Sequence, residues 1–96
     1  MSLTDIVNQV RKRVEMLDIK IGCNDVLAYS VRKSAQQAAV YCNISGMEYF
    51  PPDAEIYLTE YAASDYLLDN TGFSPRWEKM RKDAEIGLLR FRRVRW

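Results

Sequence analysis

Apolar positions recur at helical spacing through four stretches of the chain, and polar segments divide them. Leu3, Ile6, Val7, Val10, Val14 and Leu17 step by three and four, which predicts a first helix from a Ser2-Leu3-Thr4-Asp5 cap to Met16 or Leu17. Arg11, Lys12, Arg13 and Glu15 populate its other face. A second stripe runs through Leu27, Val31, Ala35, Ala38, Ala39 and Cys42, with Asn24 or Asp25 as cap and Arg32, Lys33, Gln36 and Gln37 outside. Its alanines let a neighbouring helix approach closely. Between the two, Asp18-Ile19-Lys20-Ile21-Gly22-Cys23 reads as a connector with a glycine stop, its isoleucines plugging the core.

The third stretch organises the rest. Pro51-Pro52 closes a loop, and Asp53 stands where an N-cap carboxylate would satisfy free backbone N–H groups and meet the positive end of the helix dipole. Ile56, Tyr57, Ala63, Leu67 and Leu68 keep helical steps, and Tyr61 and Tyr66 widen the apolar face. A helix apolar over so much of its circumference requires neighbours on more than one side. Asn70-Thr71-Gly72 ends it, and Ser74-Pro75 starts a fourth helix, with a cap followed by a proline whose missing N–H costs nothing there. Trp77, as a core anchor, then Met80, Ala84, Leu88 and Phe91 share one face. Gly87 marks close packing or the approach of the helix end. The expectation is an all-α fold: a small antiparallel bundle of about four helices with an extended loop and a C-terminal tail. Residues 1–88 form one helical domain, and 89–96 are a basic and aromatic docking tail.

Charge changes this picture at one end only. The net charge is +1, yet Arg90, Arg92, Arg93 and Arg95 fall in the last seven residues with no acid among them. Without those four, ten bases stand against thirteen acids, so the body carries −3. An acidic body with a basic tip suggests a docking end rather than a general nucleic-acid binder. Arg11-Lys12-Arg13 reads as a solvated helix face, with phosphate contact as the sharper alternative. In the loop Asn43–Pro52, Met47, Tyr49 and Phe50 are too apolar to idle; they either fold back over the core or meet a partner.

Candidate chemistry is sparse. The chain has no histidine, hence no Ser-His or Cys-His pair. Its two cysteines fall short of a zinc site and read as small buried groups in a reducing interior. The four glycines are isolated and form no phosphate-binding loop. Glu60 with Asp65, or Asp83 with Glu85, lacks the spacing that would set both carboxylates on one face. No enzyme activity, cofactor or small-molecule substrate is expected. No run of eighteen apolar residues predicts a membrane span, and the first residues do not resemble a secretory signal. Glu60, within apolar surroundings, is a paired or snorkelling acid or else meets an arginine of another subunit.

From Pro51 to Leu89 the chain resembles the small α-helical head–tail connector (head-completion, or adaptor) proteins of tailed bacteriophages and prophages. The residues that carry the resemblance are Pro51-Pro52, Ile56 to Leu68 with Tyr61-Ala62-Ala63 inside, Asn70-Thr71-Gly72, Phe73-Ser74-Pro75-Arg76-Trp77, and the last helix up to Gly87-Leu88-Leu89. The resemblance implies a virion protein assembled in the host cytoplasm. It implies a homo-oligomeric ring of about a dozen copies between the portal protein and the next connector or tail protein, extending the DNA channel. By position, Leu89, Arg90, Phe91, Arg92, Arg93, Val94, Arg95 and Trp96 would be the segment that docks to a neighbouring ring. Phe91, Val94 and Trp96 would be apolar anchors, and the arginines would grip carboxylates or, without sequence preference, the phosphates of DNA in the channel. Met47, Glu48, Tyr49 and Phe50 would form a second, subunit-facing surface. The alternative from the residues themselves is a small DNA-binding or regulatory interaction module, motivated by the basic tail and Arg11-Lys12-Arg13.

Overall fold

Each helix starts and stops for a local reason. In the computed structural model, which describes residues 2–46 and 49–92, the order is α1 (Leu3–Met16), α2 (Asn24–Tyr41), α3 (Glu55–Thr71) and α4 (Pro75–Leu88). A 3₁₀ turn at Pro52–Ala54 leads into α3, and another at Leu89–Phe91 continues α4. With no strand among the described residues, the chain is an all-α antiparallel bundle of four helices. No helix of the described residues is long and apolar enough to cross a membrane.

The caps of α1 and α4 are those the sequence predicts. Ser2 Oγ accepts from the Asp5 N–H at 3.2 Å, and Ser74 Oγ accepts from the Arg76 N–H at 3.3 Å. The start of α2 differs. Cys23 occupies the cap position without a side-chain bond, and Asn24 is already helical. Cys23 is exposed rather than buried, because it sits where the chain enters the helix from solvent; Cys42 is buried as expected. Asp53 does not cap α3 either. The chain enters through the 3₁₀ turn, where the Ala54 N–H reaches Pro51 O at 2.9 Å, so backbone closes the entry and Ala54 takes the cap position.

The stops of α1 and α2 share one device. Asp18 and Asn43 adopt positive φ of 58° and 55°, the left-handed conformation that Asp and Asn tolerate better than most residues. An isoleucine follows each. The Ile19 N–H bonds Val14 O at 3.4 Å and the Ile44 N–H bonds Ala39 O at 2.9 Å, so each isoleucine turns its N–H back onto the last turn of its helix. Gly22, expected to act as the stop, lies downstream in open space. At the end of α3 the expected glycine does serve: Gly72 has φ 87°.

Helix α3 is the hub and packs on α1, α2 and α4. Leu58, Thr59 and the whole run from Tyr61 to Leu67 are buried, so nearly every side of the helix meets a neighbour. Against it lie Ile6, Val10 and Val14 of α1, Leu27, Val31 and Ala38 of α2, and Ala84 and Leu88 of α4. Each large side chain fully buried here contributes about 1.5–3 kcal/mol of transfer free energy. Ile56, expected inward, is instead exposed: Ala54 and Tyr57 turn towards the core on either side of it, and Ile56 takes the outward face of the first turn. Trp77 is half-buried, with the Arg76 guanidinium 5.1 Å from its ring centroid. Trp77→Ala is therefore expected to cost about 1–2 kcal/mol by urea unfolding, below the ~3–5 of a fully buried tryptophan.

Candidate functional site

The end of α4 is seated before the chain leaves the described region. Gly87 faces Tyr57 of α3, and a Cβ there would fall 2.2 Å from Tyr57 Cδ1. Only glycine lets the aromatic ring lie on the α4 backbone. The same ring meets Phe91, centroid to centroid at 6.1 Å with the planes tilted by 47°. From α2, the Cys42 thiol donates to Leu88 O at 3.4 Å and satisfies a carbonyl at the helix end. Burial pushes this thiol's pKa up, partly opposed by the positive charge of Arg92. The Arg92 guanidinium stands 5.8 Å over the Tyr41 ring.

These contacts sort the residues proposed for docking. The resemblance makes Phe91 a docking anchor, whereas helical spacing sets it on one face with Leu88; it is half-buried against its own core, because Gly87 opens a seat for it beside Tyr57. Leu89, 46% exposed, and Arg90 face solvent. Ile86, one turn before Leu89 and 65% exposed, adds an outward apolar side chain that the sequence reading did not single out. Leu89–Phe91 continue the helix, so a segment free of the body starts no earlier than Arg92. Arg93, Val94, Arg95 and Trp96 lie outside the described residues. In the loop before α3, Phe50 folds back into the core, which removes it from any subunit-facing surface, whereas Tyr49 is 56% exposed. Met47 and Glu48 lie outside the described residues.

Two polar clusters bind the helices together, and the first answers a question the sequence raised. Glu60 pairs within its own chain: Arg13 Nε donates to Oε1 at 2.6 Å and Nη2 to Oε2 at 3.4 Å, joining α1 to α3. This ion pair occupies one of the three cations of the Arg11-Lys12-Arg13 cluster. The second cluster was not foreseen. Asp65, buried in α3, accepts from Ser34 Oγ of α2 at 2.7 Å and from Arg81 Nη1 of α4 at 3.0 Å. Arg81 also donates to Tyr61 Oη at 3.3 Å and lies within 3.6 Å of Glu85. Burial alone would lower the guanidinium's pKa; Tyr61, Asp65 and Glu85 outweigh it and raise it. Ser34 Oγ also lies 2.9 Å from Ser30 O, but its one proton favours the carboxylate. The sequence signal was present: Ser30, Ser34 and Asp65 occupy core-facing helical positions where apolar residues are the rule.

Two open grooves flank α3 on the α1 side. One, about 430 Å³, has Leu17, Tyr57, Met80 and Ala84 in its lining with Arg76 and Lys79 among its charged residues. The other, about 480 Å³, lies between α1 and the start of α3. No family model matches this chain, and no curated protein or solved structure matches it.

Proposed function

We propose that this protein is a structural connector of the head–tail type, which acts by binding rather than turnover. Copies assemble into a ring between the portal protein and the next connector or tail protein, in a virion assembled in the host cytoplasm. The reading rests on the sequence resemblance, and one structural observation supports it most: the root of the arginine-rich end is fixed at Phe91 and Arg92 while Leu89 and Arg90 stay outward. A rigid root lowers the ordering cost of presenting a short docking segment. The anchoring role passes from Phe91 to Leu89, Val94 and Trp96, with Arg90, Arg93 and Arg95 available for carboxylates or DNA phosphates.

Deletion of residues 93–96 tests the reading. Phe91 and Arg92 remain seated, so the melting temperature is expected to stay within about 2 °C of wild type. Incorporation into rings or particles, followed by electron microscopy, is expected to be lost. Normal incorporation of the truncated chain would show that the segment is not the docking element. The alternative, a DNA-binding module, predicts duplex binding by the isolated protein that weakens steeply with salt.

A further inference from the structure

We propose that the face between α1 and the start of α3 is self-complementary and pairs two copies of this chain. The groove of about 480 Å³ on this face has two walls of opposite sign. The α1 wall carries Lys12, exposed and in no ion pair among the described residues. The opposite wall carries Asp53, exposed, and Glu55, half-buried, likewise outside any ion pair among the described residues. Between the walls Arg13 and Glu60 neutralise one another. Met16 and Ile56, in the same groove, are left 75% and 64% exposed, the kind of apolar surface that an interface removes from water.

This arrangement selects its occupant. A partner of a single charge sign would be attracted by one wall and repelled by the other. A second copy, related by a two-fold axis along the groove, sets each basic wall over an acidic wall and brings the exposed apolar side chains towards the centre. The contact uses no residue of the C-terminal segment and does not depend on the connector reading. If rings form, the same face pairs ring with ring.

Charge reversal decides the matter on the full-length protein. Lys12→Glu makes both walls acidic, and Asp53→Lys with Glu55→Lys makes both basic. In sedimentation equilibrium at low salt, wild type is expected to associate in pairs, and each variant alone to pair at least about tenfold more weakly. An equimolar mixture of the two variants is expected to recover pairing, because each basic wall then meets an acidic one. Circular dichroism checks the fold of each. If either charge variant unfolds, Ile56→Ser, at an exposed site, serves instead and is expected to weaken pairing. Wild type that stays single at all concentrations, pairing untouched by the variants, or a mixture that associates no better than its components overturns the proposal. A ring whose mass ignores every one of these substitutions overturns it too, and leaves the connector reading intact.

Discussion

Asp65→Ala is expected to destabilise the fold by about 3 kcal/mol, with a melting temperature lower by more than ~10 °C. The carboxylate joins three helices at once, through Ser34 of α2, its own α3, and Arg81 of α4. Its removal leaves the Ser34 hydroxyl buried without its charged acceptor and Arg81 without its closest anion. Arg81 remains about one-third exposed and keeps Glu85 and Tyr61, so the effect falls at the lower end of that for a fully buried pair. Asp65→Asn, which keeps an acceptor but not the charge, should lose about half as much. Replacing Ser34, Asp65 and Arg81 together by alanine, leucine and methionine should recover most of the loss, because neither the serine hydroxyl nor the guanidinium is then left without its anion and only Tyr61 Oη loses a donor. Urea unfolding of the series measures this. A loss under about 0.5 kcal/mol for Asp65→Ala would mean the cluster does not hold the helices together.

Gly87→Ala is expected to cost about 1–3 kcal/mol, although alanine is the better helix former by ~1 kcal/mol. The new methyl would strike the near carbons of the Tyr57 ring, with Cγ only 2.8 Å away, so the ring has to leave its seat. Phe91 rests on that ring and should loosen with it. The control is the same substitution in a Tyr57→Ala background, where the clash is gone. There Gly87→Ala should become neutral or stabilising by up to about 1 kcal/mol. A double-mutant cycle reads the reversal directly. Stabilisation of the otherwise wild-type chain by Gly87→Ala would contradict the packing described for the end of α4.

The pattern of apolar positions was enough to place the helices, because burial on one face dictates spacing whatever the partners are. Ser2, Ser74-Pro75 and Gly72 were readable since each solves a backbone problem within a few residues. Asp18-Ile19 and Asn43-Ile44 could have been read the same way. The pairing of a left-handed Asp or Asn with a following isoleucine ends two helices, the first of them four residues before Gly22. The Asp65 cluster and the Arg13–Glu60 pair join residues far apart in the chain, so spacing alone cannot assign their partners. Phe50 and Phe91 show the limit for the candidate site. Spacing and hydrophobicity allow each either a place in the chain's own core or a partner, and the packed fold decides for the core. Loss of these two leaves Tyr49 of the loop, Leu89, Arg90 and the arginine-rich residues beyond as the proposed contact surface.

The most direct test images this chain, tagged at its N-terminus, in the particles assembled in cells that make it. Electron microscopy is expected to find it as a closed ring on a DNA channel between head and tail, with the arginine-rich ends inserted into the neighbouring layer. A chain recovered only as free single or paired copies, associated with no ring and no particle, would contradict the connector account.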